Sequence, residues 1–306
     1  MEYFSKVKRS IGFIFVLSVA VFMTVGFSAG AVKADPCVLP DFGSAVFDSP
    51  TDITNPFFTL TPGTAFCYQS DSAEDGERNE VTVTKCDPLP IGGIDTIVVR
   101  DVVKDKDGNL LEDTFDFFVQ DNPEDDGNPW GNVWYLGEAT KECVDDNTEG
   151  TWNANDASPC PDADNCPLAG DDNYCSCGGD PGIVMLADPM HGNCYKQESL
   201  PDHAEDIAKV LRLNAKVSVS YGDFKGCLKT KEWTPLAHGD VEFKYYDAAD
   251  VMNNVLTEEL HGGKTVRVEL VDIQQTSSDG FCPDTFGEAF GALCMEATPT
   301  TNCNFN

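Results

Sequence analysis

The sequence predicts an all-β protein, a mainly antiparallel β-barrel or β-sandwich with one short helix and a disulfide-rich insertion. Three observations lead there. At least eight segments show strand-like alternation or β-branched runs, one segment shows helical periodicity, and all 13 cysteines follow an N-terminal leader.

The leader comes first. Lys6, Lys8 and Arg9 precede an apolar run from Ile11 to Phe27, followed by Ala29-Gly30-Ala31 and Val32-Lys33-Ala34. A positive start, an apolar middle and small residues at the end describe a signal peptide over residues 1–34. An uncleaved N-terminal anchor is the alternative; after cleavage no other apolar run is long enough for a stable membrane span. No lipobox-like triplet precedes Cys37.

An exported chain meets an oxidising compartment, extracellular or periplasmic, so its cysteines read as a disulfide framework. They are Cys37, Cys67, Cys86, Cys143, Cys160, Cys166, Cys175, Cys177, Cys194, Cys227, Cys282, Cys294 and Cys303. An odd count leaves at least one thiol free or bonded to another molecule. Cleavage before Asp35 leaves 16 Lys+Arg against 51 Asp+Glu, a formal charge of −35. That field repels nucleic acid and favours cations or a basic envelope or extracellular partner.

The remaining sequence, 35–275, reads as one β domain. Strand signals run from Phe57 to Trp134. Glu80 to Lys85 alternates with period two, Ile94 to Val103 is β-branched, and Leu111, Phe115, Phe117 and Val119 recur on one face. Asp107-Gly108 between two such runs is a hairpin signal, because both central residues of the tight turn need positive φ. Asp121 to Pro129 reads as a long acidic turn before the apolar strand Gly131–Glu138. Short connections make these neighbours antiparallel.

Residues 153–181 change character: Pro, Gly, Asn, Asp and four cysteines, with almost no large apolar side chain. Such a stretch has no core of its own and reads as an insertion ordered by disulfides or metal. Next comes the expected helix. Asp202 is placed as its cap, with Pro201 before it and Glu205 completing a capping box; Ala204, Ile207, Ala208 and Leu211 form its apolar stripe. Strands resume over Ala215–Tyr221, Phe224–Trp233, Val241–Tyr246 and Val266–Ile273. The tail, 276–306, carries three cysteines and reads as disulfide-pinned.

Several segments resemble an uncharacterised group of exported bacterial all-β proteins over roughly residues 51–260. They are Asn55-Pro56-Phe57-Phe58-Thr59-Leu60-Thr61-Pro62-Gly63-Thr64, Gly131-Asn132-Val133-Trp134-Tyr135-Leu136-Gly137-Glu138, Ala204-Glu205-Asp206 and Trp233-Thr234-Pro235-Leu236. The resemblance implies one extracytoplasmic β domain and no particular activity. Asp162-Ala163-Asp164-Asn165-Cys166-Pro167-Leu168 resembles part of a thrombospondin type 3 calcium repeat, in which aspartates and a disulfide surround calcium.

Calcium is therefore the metal the sequence favours. Asp162, Asp164, Asn165, Asp171 and Asp172 supply carboxylates and an amide to an ion that takes six to eight oxygens. Met185, Met190, His191 and Cys194 are a second, copper(I)-like set. The histidines His191, His203, His238 and His261 are scattered, with neither a nucleophile elbow nor a zincin pair, so no catalytic residue is assigned. Phe115, Phe117, Phe118, Trp134, Tyr135, Phe243, Tyr245 and Tyr246 suggest either core or a ligand face. The expected function is a secreted, non-enzymatic binding or structural module stabilised by calcium. The alternatives are an extracytoplasmic hydrolase and a carrier of a small apolar ligand.

Overall fold

The computed structural model describes residues 37–38, 41–71, 76–123, 127–144, 148, 150–154, 177–237, 239–261 and 263–305. The chain is all-β as expected. Its first strands are β1 (Thr64–Ser70), β2 (Arg78–Val83), β3 (Leu89–Ile91), β4 (Ile94–Lys104), β5 (Leu110–Gln120) and β6 (Val133–Glu142). Short strands follow: β7 (Trp152–Asn153), β8 (Cys177–Gly178), β9 (Asp180–Met185), β10 (Cys194–Lys196) and β11 (Glu198–Ser199). The long strands β12 (Ile207–Val219), β13 (Gly222–Trp233), β14 (Val241–Tyr246), β15 (Asn254–His261) and β16 (Lys264–Gln275) precede the helix α1 (Phe286–Ala292).

Hydrogen bonding runs in the order β10-β12-β13-β14-β15-β16-β1-β2-β4-β5-β6-β7-β8, with β9 on β6 and β11 on β9. All pairings between these strands are antiparallel except β7 with β8. The first and last long strands meet in mid-sheet, Thr64 opposite Gln275. The sheet is not closed as a ladder, yet both margins converge on one segment. Residues 194–196 pair with β12 while 198–199 pair with β9, which gives a barrel-like curl.

Register decides which side chains meet. Val83, Val99, Asp116, Glu138 and Trp152 lie opposite one another across β2, β4, β5, β6 and β7. This row points inward, where Phe58, Phe118, Tyr135 and Trp152 make a chain of ring contacts at 5.0–5.5 Å. The alternate row holds Thr82, Arg100, Phe115 and Ala139. It is covered by the C-terminal segment. Cys67, Cys86 and Cys143 bond to Cys303, Cys282 and Cys294, and Phe117 packs on Phe286 of α1 at 5.6 Å. With both faces covered, β4 and β5 are buried almost end to end despite their charged residues.

One charged pair sits under that cover. Arg100 binds Asp113 bidentately, at 2.9 and 2.7 Å, with neither side chain exposed. The remaining guanidinium nitrogen donates to the Ala297 carbonyl, and the Cys294 N–H donates to Asp113. Cys37 bonds to Cys194. Four disulfides of this kind persist outside the reducing cytosol. Among the described residues Cys227 is the free cysteine; it is buried, and burial followed by the Asp247 charge pushes its thiol up to about 11.

The expected helix at 202–211 is not formed. Ile207–Val219 is a strand paired along its length with β13. Ala208 and Val210 are buried between less buried neighbours, so period two overrides the helical stripe. The box-like hydrogen bond exists, Asp202 N–H to Glu205 Oε1 at 2.9 Å, but it closes a turn. Asp202 has φ of 65°, and Leu200 and Ala204 exchange backbone hydrogen bonds across that turn. The true helix starts at Thr285, whose hydroxyl accepts from Glu288 N–H. The described residues contain no helix long and apolar enough to cross a membrane.

The Arg100–Asp113 pair gives a direct test. Replacing Asp113 with Ala leaves a buried guanidinium uncompensated and frees the Cys294 N–H. Chemical denaturation should show a loss of about 3–5 kcal/mol; a loss below ~1 kcal/mol would mean that the pair is incidental to the tail's docking.

Candidate functional site

Among the described residues two places gather polar chemistry, one inside and one on the surface. The inner one follows from the register. Asp116 and Glu138 are direct cross-strand neighbours, and Tyr135 donates to Asp116 at 2.8 Å. Glu198, at the sheet margin, accepts from Trp152 Nε1 at 2.9 Å. Burial pushes Asp116 up to about 7, with the Glu112 charge adding to it and the Tyr135 hydrogen bond opposing it. Glu138 and Glu198 are also raised well above the carboxylate range. Burial is the main cause for both, followed by mutual repulsion for Glu138 and the Asp206 charge for Glu198.

The network continues beside β14. Lys244 bridges Glu232 and Glu242 at 3.0 and 3.2 Å, and Thr230, Tyr246 and Gln197 all donate to Glu232. Burial lowers the Lys244 affinity for its proton, but the two carboxylates more than reverse this. Asp206 is pushed up to about 8 by burial and by Glu242, against Lys244 and a Thr234 hydrogen bond. The void among these groups is about 10 Å³, room for no more than a water. These acids are raised as a general acid would be, yet their partners are the chain's own tyrosine, tryptophan and lysine.

The outer place is an open cleft of about 190 Å³, lined by Asn128, Trp130, Asn132, Asp188, Met190 and Asn193 among others. Asp121 is its foundation. Its carboxylate accepts from Asn132 N–H at 2.6 Å, Asn132 Nδ2 at 3.0 Å and Trp134 Nε1 at 2.8 Å. Asn132 Oδ1 accepts from Ala187 N–H, and Asn128 Nδ2 donates to Ala187 O, so the loops 127–132 and 186–188 are tied. Asn55 adds a third strap, donating to Gly131 O and Leu186 O at 3.2 and 3.0 Å. Gly131 is obligatory: a Cβ there would lie 1.8 Å from the Asp121 carbonyl oxygen. On the far wall Asn193 Oδ1 accepts from Met190 N–H at 2.6 Å. Trp130 and Met190 remain 38% and 57% exposed on this rigid frame.

The expected calcium ligands Asp162, Asp164, Asn165, Asp171 and Asp172 lie outside the described residues, as does His238. The copper(I)-like set is dispersed: Met185 is buried in β9, Cys194 is consumed by its disulfide, and Met190 lies on the cleft. His191 and His203 are exposed. No cluster of His, Cys, Asp or Glu fit to hold a metal occurs among the described residues. Of the aromatics proposed as a ligand face, all are buried except Phe243, which is half-buried. Trp130 lies outside that set. Its signal was a large ring inside Asn128-Pro129-Trp130-Gly131-Asn132, where turn residues leave no strand to bury it.

The chain matches no family model and no curated protein. Among solved structures it is similar to a "putative lipoprotein" from Parabacteroides distasonis ATCC 8503, at 14% identity and a TM-score of 0.32, covering 73% of this chain and 100% of that one. It is also similar to a "putative exported protein with YmcC-like fold" from Bacteroides fragilis NCTC 9343, at 12% identity and a TM-score of 0.33, covering 72% and 99%.

The raised acids set a pH dependence. Asp116 moves from an ordinary 3.8 to about 7 on folding, and Asp206 from 3.8 to about 8. Between about pH 4 and these values the folded state keeps protons that the unfolded chain has lost. Their contribution to stability is therefore full below about pH 4 and declines up to about pH 8. Asp116→Asn retains the acceptor for Tyr135. Urea titrations should show a shallower decline than wild type and a more stable protein at pH 8; parallel curves would show that Asp116 is ionised throughout.

Proposed function

We propose that this chain is an extracytoplasmic, non-catalytic binding module that takes its ligand on the surface, in the Trp130 cleft. The observation that carries the reading is an exposed indole held beside Asp188 and the amides of Asn128, Asn132 and Asn193. An aromatic face next to directional polar groups suits a ligand with an apolar face and hydroxyls at its edge, such as a saccharide unit. Among the described residues the interior supports a surface site, because the ring contacts and hydrogen-bonded acids occupy space that a carrier would give to its ligand.

Trp130→Ala is the test of this site. Titration with neutral and acidic oligosaccharides, followed by isothermal titration calorimetry, should give saturable binding that weakens about tenfold or more in the variant. Equal binding by both proteins would move the site elsewhere.

The insertion at 153–181 is proposed to bind calcium through Asp162, Asp164, Asn165, Asp171 and Asp172. The support is its sequence: oxygen donors are dense, and few apolar side chains oppose the conformational entropy of the loop. Thermal unfolding with calcium or chelator checks this. Calcium at a hundredfold excess over Kd should stabilise wild type by about 2.7 kcal/mol and Asp162→Ala/Asp164→Ala by much less. An equal gain in both would be general screening of negative charge.

A further inference from the structure

Local charge opposes net charge on one hairpin. Residues 207–233, β12 and β13, hold Lys209, Arg212, Lys216, Lys225, Lys229 and Lys231 against Asp223 and Glu232, a formal +4 in a chain of −32. Glu232 is buried against Lys244, and Asp223 accepts a hydrogen bond from Ser218. The register then sets like charges face to face: Lys209 opposite Lys231, Arg212 opposite Lys229, Lys216 opposite Lys225. Such pairs destabilise a hairpin. In so acidic a chain, mixed pairs would have been the easier outcome.

Neighbouring groups answer part of this charge. Lys229 lies 3.6 Å from Glu258 and over the Phe243 and Tyr245 rings, and Lys231 lies over Trp233 at 4.8 Å. Arg267 is paired with Glu258 and Glu269. Arg212, Lys216 and Lys225 are exposed, and the ion pairs found among the described residues do not include them.

The base of the hairpin adjoins the cleft. Gly192 N–H donates to Val210 O, and Val210 N–H donates to Asn193 O, each at 2.9 Å. The wall bearing Met190 and Asn193 is thus laid on β12 between Lys209 and Arg212. We propose that the hairpin and cleft together dock an acidic polysaccharide, its carboxylate, sulfate or phosphate groups on the hairpin cations and a sugar ring on Trp130. At about 3.3 Å per residue, Arg212 to Lys216 extends over roughly 13 Å, a length suited to successive charges along a polymer. The residues outside the hairpin carry a formal charge of −36, so the field favours a polyanion along the hairpin over the rest of the chain. Asp188 lies within the cleft and suits hydroxyls, which places the anionic groups on the hairpin side. The choice of a saccharide over other polyanions rests on the Trp130 reading.

The experiment measures retention of the mature protein on immobilised polygalacturonate and dextran sulfate, with neutral dextran alongside. Arg212→Gln/Lys216→Gln/Lys225→Gln should weaken binding to both acidic polymers by about tenfold, while its melting temperature stays level or rises as like charges are removed. A charge-matched control, Lys85→Gln/Lys106→Gln/Lys264→Gln, should keep wild-type binding. If both triple variants lose binding equally, only net charge matters and the inference is overturned. It is also overturned if anionic phosphatidylglycerol vesicles are bound and the polysaccharides are not, or if the hairpin variant changes only the oligomeric state. If the hairpin variant loses binding and Trp130→Ala does not, the hairpin stands and the cleft reading falls. If Trp130→Ala abolishes neutral-sugar binding while the hairpin variant keeps its acidic ligands, the cleft stands and this inference falls.

Discussion

The buried pair of Arg100 and Asp113 joins the two layers of this protein. A guanidinium and a carboxylate removed from water are tolerable only when each remaining donor and acceptor is satisfied. Here the C-terminal segment supplies the missing partners, the Ala297 carbonyl and the Cys294 N–H. The segment is therefore a structural layer on the sheet. Its presence explains why β4 and β5 bury charged and apolar residues alike, and why Phe117 finds a partner in α1. By contrast, β12 alternates buried and exposed positions along much of its length, as a strand with one open face does.

Much of the fold was legible in the sequence because its signals were local. Period-two runs and Asp107-Gly108 mark β2, β4, β5 and their turn, but the turn is the five-residue loop 105–109 with only Gly108 at positive φ, and the Gly108 N–H and Asn109 N–H both close it on Asp105. The segments that carried the family resemblance prove to be packing points. Asn55 straps Gly131, and a Cβ at Gly137 would fall 2.4 Å from the Trp152 carbonyl oxygen. The helix at 202–211 failed because a box-like hydrogen bond and an i, i+4 stripe are also compatible with a turn leading into a strand. Only the pairing with β13, distant information, decides between them. Short strands such as β7 and β10 have too few residues to show any period.

The site was harder to read than the fold. The acids of the interior cannot be told from surface acids in so acidic a chain; only register brings Asp116, Glu138 and Glu232 inside. Trp130 sits in a turn whose meaning depends on Asp121, Asn55 and the loop at 186–188. The hairpin cations were visible as residues, but their face-to-face arrangement appears only once β12 and β13 are aligned. A negative chain that looks from its composition like a ligand for basic partners thus carries, on one hairpin, the opposite preference.

The meeting of β1 with β16 has a consequence for how the molecule comes into being. Tyr68 must find Leu270 across some two hundred residues before the middle of the sheet exists. Contacts of such long range make folding slow and place it late. The N-terminal strands of a chain delivered end-first have their own hairpins to form, but not the sheet. The covering layer on β4 and β5 comes from residues 282–303, far along the chain from both strands, and until it arrives Arg100 and Phe117 lie open to water. The topology thus keeps the sheet from being completed until residues as far along as Cys303 are in place.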